Sequence, residues 1–501
     1  MLAKVLSSAV EGINAYLVEV ETDISPQLPS FTTVGLPETA VRESKDRVKA
    51  AIKNSGFHFP AKKVTVNLAP ADVKKVGTAF DLPMAIGILA ATGQIRTEDF
   101  SNTVCLGELS LDGTIRPVTG ILPMAIKLRE LGTKRIIVPK ENAAEAAIAE
   151  GLPVFPIDNL ADAVQFLEDD SNVASFTVDI AKIFEDACEH IENIADVKGQ
   201  EHAKRALEVA AAGGHNIIMI GPPGSGKTML ARRLPTVLPR LSLEEALEVT
   251  KIHSVAGRLP KGTALVATRP FRAPHHTISD AGLIGGGAYP KPGEVSLAHH
   301  GVLFLDELPE FKRNVLDMMR QPLEDGSVTI SRAAVALTYP ANFMLAAAMN
   351  PCPCGYFGDD SHECKCGTGE IIRYRSRVSG PLLDRIDIHI EMPAVKFKEL
   401  SEAPSGESSS NIRDRVNNAR DIQLDRFKDR SDIFCNAHMS SRDLRTYCPI
   451  DEQSQNLLKI AITRLGLSAR AYDRILKVSR TIADLSGSDY IIAEHISEAI
   501  Q

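Results

Sequence analysis

The octapeptide Gly221-Pro-Pro-Gly-Ser-Gly-Lys-Thr228 fits the pattern G-x-x-x-x-G-K-[ST] in full. Apolar Ile217-Ile-Met-Ile220 precedes it and helix-forming Met229-Leu-Ala-Arg232 follows, so the chain reads as strand, glycine-rich loop and helix. A loop built from Gly221, Pro222, Pro223, Gly224, Ser225 and Gly226 can close its backbone N–H groups round a phosphate chain. Lys227 then meets the β/γ charge and Thr228 offers a hydroxyl to Mg²⁺. The pattern predicts ATP or GTP as ligand. The competing account is a chance glycine turn between strand and helix.

Two further segments could complete such a site. Val302-Leu-Phe-Leu305 reads as a buried parallel strand, and the Asp306-Glu307 pair at its end supplies Asp306 for the Mg²⁺ shell and Glu307 to polarise an attacking water. An acidic pair also ends many ordinary strands, so its weight comes from the loop upstream. Leu345-Ala-Ala-Ala-Met349 is a second small-residue strand, ending at Asn350. That amide could orient the same water, or Asn350 could simply form the turn before Pro351.

The rest of the composition bounds these readings. A chain of 501 residues with 44% hydrophobic and 24% charged residues is ordinary globular material and exceeds one core, which predicts about three domains. The longest apolar run, Leu82 to Ala91, is core-sized and far short of a membrane span. Met1-Leu-Ala-Lys-Val lacks the basic and apolar regions of an export signal, so a cytoplasmic protein without membrane partners is expected. Of eight cysteines, four fall between Cys352 and Cys366, while Cys105, Cys188, Cys435 and Cys448 are scattered. This favours reduced thiols with one metal site over a disulfide framework. A net charge of −8 gives no global attraction for nucleic acid, so any such binding must be local.

Along the first segment, Ala3–Val5, Ala15–Val20 and Lys63–Asn67 read as strands and Val41–Ser55 as an amphipathic helix. Arg135–Val138 then forms a strand before a helix over Glu141–Glu150. The acidic run Glu168-Asp-Asp170 ends it, and a bridge leads to a helix over His202–Ala212 before the glycine-rich loop. Ser401–Ser410 is a Ser/Gly/Pro linker. Beyond it lies a helical module with Ile475, Val478, Ile482 and Leu485 at core spacing.

Cys352-Pro-Cys354 and Cys364-Lys-Cys366 could close a structural Cys₄ site for Zn²⁺, with His362 as a competing ligand; free thiols or a redox pair are the alternatives. Residues 269–300 carry Arg272, His275, His276 and Lys291 among glycines, with Tyr289 the lone candidate for stacking. Residues 326–338 alternate like a hairpin and include Arg332. Arg272, Lys291 and Arg332 are candidate contacts to DNA phosphates, although a lone loop cation is often merely solvated.

The order of these parts resembles a known family. Leu382-Leu-Asp-Arg385-Ile-Asp and Ser468-Ala-Arg470-Ala-Tyr-Asp look like the arginine-finger and sensor-2 motifs of ring-forming AAA+ ATPases. The insertion from Pro270 to Gly287 is similar to that of the magnesium-chelatase ATPase subunit. End to end, the chain resembles the magnesium-chelatase-like YifB/ComM family, in which ComM is a hexameric DNA branch-migration helicase of natural transformation.

The resemblance implies an α/β protein in five parts. These are a Lon-protease-like (ChlI-type) α+β domain over 1–170, a linker over 171–195, an AAA+ P-loop core over 196–395 with a candidate zinc loop at 352–366, a flexible linker over 396–411, and a C-terminal helical lid over 412–501. It implies ATP and Mg²⁺ as cofactors, DNA (single-stranded or branched) as partner, a homo-hexamer, and Arg385 and Arg470 as catalytic beside Glu307 and Asn350. In the first segment, Leu68–Ile86 and Gly107–Ile121 resemble Lon elements, but the nucleophile position falls on Phe80 and the lysine position near Leu122. Neither can form a Ser-Lys dyad, so peptidase activity is not expected. Ser110 or Ser101 with Lys127 is the weaker dyad. The remaining alternatives are a protein-remodelling or metal-chelatase motor and an ATP-driven peptidase.

Overall fold

The computed structural model describes residues 2–96, 100, 102–169, 174–187, 192–332, 335–359, 362–394, 406–430 and 433–501. Ser101, Asp170 and Cys188 lie outside the described residues, as do parts of the two expected linkers. The described chain divides into two compact units, one of residues 1–186 with 246–267, the other of residues 187–245 with 268–501.

In the first unit the strands are β1 (Leu2–Glu11), β2 (Asn14–Ser25), β3 (Ser30–Val34), β4 (Lys63–Ala69), β5 (Thr103–Cys105), β6 (Glu108–Leu109), β7 (Ile115–Arg116), β8 (Arg135–Pro139) and β9 (Val154–Ile157). Seven of them form one mixed sheet in the order β3-β4-β2-β1-β5-β8-β9. Val64, Val66 and Leu68 alternate into the core from β4, as a half-buried strand requires. The helix Asp81–Ala91 is buried almost throughout, which explains its unbroken apolar run. Its one acid, Asp81, is held by Arg47 (2.7 Å) and by the Leu109 N–H (3.2 Å), while burial pushes its carboxyl above the usual range against Arg47. Phe80 and Leu122 are core residues, 1% and 0% exposed. The Lys127 ammonium pairs with Glu130 at 3.2 Å.

Two expectations need correction here. The helix expected over Glu141–Glu150 shrinks to a 3₁₀ turn, Lys140–Asn142, and a short helix, Ala143–Ala147. The Asn142 amide is committed to both backbone groups of Val118 instead. Residues 246–267, which the sequence reading left inside the 196–395 segment, pack with the first unit. Buried Glu145 accepts from the Ser254 hydroxyl, the Leu122 N–H (2.9 Å) and Asn142 (3.3 Å), and Lys261 pairs with Glu141 at 3.0 Å.

The second unit holds β10 (Ile217–Ile220), β11 (Phe271–Arg272), β12 (Gly285–Gly286), β13 (Lys291–Pro292), β14 (Val302–Leu305), β15 (Ser327–Arg332), β16 (Val335–Pro340), β17 (Met344–Met349) and β18 (Ile388–Glu391). Five form an all-parallel sheet, β11-β14-β17-β10-β18. Its central strands β14 and β17 are buried at every position, so they read as continuous apolar runs without alternation. Helices Glu201–Gly213 and Lys227–Val237 share a core with this sheet and with Ile412, Val416 and Ala419 of the helix Ser409–Arg426. The C-terminal helices bury Ile475, Val478 and Ile482 from Ala469–Leu485. Among the described residues, no helix is long and apolar enough to cross a membrane.

Candidate nucleotide site

Strand β10 runs directly into the glycine-rich loop. Gly224 and Gly226 take φ of +78° and +92°, a region a side chain resists, and a Cβ at either would meet nothing within 4 Å. At Gly221 the need is space, because a Cβ would lie 2.3 Å from the Met392 carbonyl oxygen. The loop therefore presents backbone on its open side, which fits a phosphate chain.

Sheet order gathers the remaining groups. β10 lies beside β17 with Ile220 level with Met349, and β17 lies beside β14, so Asn350 and Asp306 leave the sheet at the same end as the loop. Lys227 is buried at the start of its helix. Its ammonium donates to the carbonyls of Gly221 (2.8 Å) and Pro222 (2.9 Å) and reaches Oδ1 of Asn350 at 3.3 Å. Burial pushes it below the ordinary lysine value, opposed by the charge of Asp306. Thr228 donates to Asp306 at 2.7 Å, and the other Asp306 oxygen accepts the Glu307 N–H at 2.9 Å. The Thr228 hydroxyl and Asp306 carboxylate make a hard oxygen pair fitted to Mg²⁺. Glu307 sits at φ +52° with its side chain largely exposed, 3.5 Å from Nδ1 of His276.

The sequence reading missed Gln200. In a left-handed turn at φ +58°, its amide donates to the carbonyls of Ser225 (3.3 Å) and Pro393 (2.7 Å), bracing the glycine-rich loop from behind. The signal was a Gly-Gln pair directly before a helix.

Arg385 does not pair with Asp384 or Asp387, the partners offered by proximity in sequence. Its guanidinium pairs with Glu324 and donates to the Pro381 carbonyl at 2.6 Å, while Asp387 faces His215 and Asp384 faces Arg474. The Arg385 hydrogen bond, then its charge, hold the Glu324 carboxyl below the usual range, with the charge of Arg470 adding to them. Arg385 and exposed Arg470 thus both act on one carboxylate, that of Glu324.

The four thiols of Cys352, Cys354, Cys364 and Cys366 converge, all within 4.8 Å of one another. Three Sγ–Sγ distances are 3.3, 3.7 and 3.6 Å. A tetrahedral zinc site with Zn–S near 2.3 Å needs edges of about 3.8 Å, so the cluster fits. The Tyr356 and Lys365 backbone N–H groups bring the Cys354 thiol down to about 6, while the neighbouring cysteines push Cys364 up and Cys366 up to about 12, so one thiolate forms readily and the others need the charge of a metal. His362 is not drawn in: it stacks on Tyr356 and faces Asp359. The loop abuts the glycine-rich loop, since a Cβ at Gly355 would lie 2.6 Å from Pro223.

The candidate polymer contacts separate into two kinds. Arg272 differs from the other two in that its Nε and Nη2 donate to both oxygens of Glu294 at 2.6 and 2.8 Å. Lys291 and Arg332 are exposed and lie on adjacent hairpins, β12–β13 and β15–β16. Arg332 reaches the Gly287 carbonyl (3.4 Å), and the Tyr339 hydroxyl donates to that of Pro290 (2.8 Å).

Family models match the chain in three successive stretches: subunit ChlI of Mg-chelatase over residues 20–142, magnesium chelatase subunit ChlI over 193–400, and the ChlI C-terminal model over 406–501. The competence protein ComM of Haemophilus influenzae is 44% identical over 505 residues, spanning 100% of this chain and 97% of ComM. YifB of Escherichia coli is 44% identical over 501 residues, spanning 100% of this chain and 96% of YifB. Lon protease 2 of Bacillus subtilis is 35% identical over 156 residues, 28% of this chain and 27% of the protease. Parallel sheet, phosphate-binding loop and full-length similarity agree: the chain is an AAA+ ATPase belonging to the magnesium-chelatase-like YifB/ComM family.

Proposed function

We propose that the chain hydrolyses ATP at sites shared between neighbouring copies in a hexameric ring and moves DNA. It would act as a branch-migration helicase in recombination during natural transformation. The observation that carries the motor reading is the convergence of Lys227 and Thr228 from one helix with Asp306 and Asn350 from the ends of two strands beside the glycine-rich loop. In this reading the loop and Lys227 hold the phosphates, Glu307 takes a proton from the attacking water, and Asn350 orients that water. Thr228 and Asp306 would hold Mg²⁺, which supplies charge neutralisation between the β- and γ-phosphates. Arg385 would serve a neighbour's nucleotide, Arg470 would be a further catalytic arginine of the helical module, and the four cysteines would hold a structural Zn²⁺ that stiffens the loop beside Pro223.

DNA as the polymer is supported by the paired hairpins, which hold Lys291 and Arg332 on short backbone able to approach phosphates closely. The proposed organisation keeps a non-proteolytic Lon-like domain over 1–170, the ATPase core over 196–395 apart from residues 246–267, and the helical lid over 412–501, in a cytoplasmic protein. The second reading, a protein-remodelling or chelatase-type motor, is favoured by the net charge of −8. Measuring the ATPase rate with no polymer and with single-stranded, duplex or branched DNA tests the choice. Stimulation by branched DNA is expected. No DNA affinity, together with stimulation by a protein substrate, would replace the helicase reading with the second one.

A further inference from the structure

The 3₁₀ turn Asn436–His438 folds back on the thiol that precedes it. The His438 N–H donates to the Cys435 carbonyl at 3.1 Å, and the same turn brings the His438 imidazole into a hydrogen bond with the Cys435 thiol. Side chains from two helices fix the turn. The Asn436 N–H donates to Oε1 of Gln423 (3.0 Å), the Asn436 amide donates to Asp484 (2.8 Å) and Thr481 (3.0 Å), and Lys477 donates to the Ala437 carbonyl (2.7 Å). Across from it, Gly214 follows the helix Glu201–Gly213 at φ +70°, and a Cβ there would lie 2.6 Å from the Cys435 sulfur and 3.9 Å from Nη2 of Arg420. Sulfur and guanidinium are neighbours across the glycine.

These groups line a cavity of about 60 Å³ together with Arg269, Glu245 and His300. A single water needs about 10–15 Å³, so a molecule the size of a peroxide fits. Cys435 is 3% exposed, whereas Arg420, Phe434 and His438 are half-buried and open the wall to solvent. Arg269 is neutralised by Glu245 at 2.9 Å. Arg420 donates to the neutral carbonyls of Phe434 (3.4 Å) and Ala211 (3.1 Å), and among the described residues its buried Nε has no hydrogen-bond partner. Burial would push the Cys435 thiol up, as it does Cys105 and Cys448, both raised to about 12. At Cys435 the charge and hydrogen bond of His438, then the charges of Arg420 and His215, overcome burial and bring the thiol down to about 6. The Cys435 charge in turn holds His438 above its ordinary value against burial and the charges of Arg420 and Lys477.

We propose that this cavity is a modification site in which Cys435, paired with His438 and backed by Arg420, is oxidised by hydrogen peroxide to a sulfenic acid. The thiolate sulfur attacks one peroxide oxygen, and the S–O bond forms as the O–O bond breaks. Sulfur is oxidised and peroxide reduced, while the departing hydroxide takes the His438 proton and leaves as water. The Arg420 guanidinium offers positive charge to that oxygen as it departs. A cavity of this size admits a peroxide and excludes a tripeptide thiol, so the product is a sulfenic acid and not a mixed disulfide.

The test exposes the full chain to hydrogen peroxide, stops the reaction with catalase and unfolds the protein in dimedone, so that trapping of the sulfenic acid does not depend on access. Peptide mass spectrometry then reads each cysteine separately. At neutral pH Cys435 should be oxidised at least about tenfold faster than Cys105 and Cys448. Its rate should rise with pH to half-maximum near 6 and stay level above, as the thiolate fraction does. His438→Gln, which removes the imidazolium, should slow the reaction about fivefold and move the half-maximal pH toward the ordinary thiol value of about 8.5. Thermal melting follows the folding of the variant, and the wild-type pH profile stands without it. Oxidation of Cys435 no faster than of Cys448, a wild-type half-maximum at the ordinary thiol value, or oxidation only above the melting temperature overturns the inference. So does a His438→Gln protein of wild-type melting temperature whose rate and pH profile are unchanged.

Discussion

Replacing Glu307 by Gln separates nucleotide binding from hydrolysis. The side chain is 59% exposed and faces His276, while Lys227 reaches Asn350 and Thr228 bonds Asp306, so an isosteric amide should leave ground-state contacts to phosphate intact. Loss of an exposed charge of this kind changes binding by less than about 1 kcal/mol. The proton acceptor disappears, however, and general-base catalysis contributes about 10²–10⁴ in rate. At about 1.36 kcal/mol per tenfold, the barrier should rise by about 3–5 kcal/mol. Lys227→Ala should do the reverse, because the ammonium that meets the β/γ charge in the ground state is gone. The assay pairs equilibrium binding of a fluorescent ATP analogue with phosphate release at saturating ATP. Glu307→Gln should bind like wild type and accumulate the ATP state. Phosphate release at the wild-type rate would refute the assignment, and loss of binding would refute the separation of Glu307 from the phosphate contacts.

Arg385→Ala should bind ATP yet hydrolyse it about 10³–10⁵ more slowly. Mixing it with Lys227→Ala should restore part of the rate, and no recovery at any ratio would exclude a shared site. Elemental analysis of protein purified without chelator should find about one zinc per chain, and a strong chelator should lower the melting temperature; a zinc-free preparation with the same melting temperature refutes the site. Lys291→Ala with Arg332→Ala should flatten the plot of log affinity for duplex DNA against log salt by about 0.9 for each phosphate no longer neutralised. Arg272→Ala should instead lower thermal stability, because it strands the partly buried Glu294 carboxylate; a change in salt slope without a change in melting would return Arg272 to the DNA contacts.

How much of the protein was legible in its sequence depended on the range of the interaction involved. The glycine-rich loop was legible because its function needs particular backbone freedom at Gly224 and Gly226 and particular groups at Lys227 and Thr228, all within eight residues. Strands β14 and β17 were legible because burial on both faces forces a continuous apolar run, and the acid pair and Asn350 follow directly. The cysteine cluster was legible as paired short spacings, whereas the exclusion of His362 required seeing it stacked on Tyr356.

Tertiary structure decided the pairings. Lys227 meets Asn350 across 123 residues because parallel strands are joined by long crossovers, and no local pattern encodes which strand ends become neighbours. Arg385 pairs with Glu324, 61 residues away, over the nearby Asp384 and Asp387, and Arg272 pairs with Glu294, because a guanidinium takes the carboxylate that packing brings within reach. Residues 246–267 joined the first unit through bonds such as that of Ser254 with Glu145, 109 residues apart, that no continuous reading of the chain contains. The sequence by itself determined the chemistry available at each position, since that resides in side chains and short backbone motifs. The tertiary structure decided which of those groups meet, since partners distant in sequence are selected only when the sheet order and the packing of its helices bring them within bonding distance.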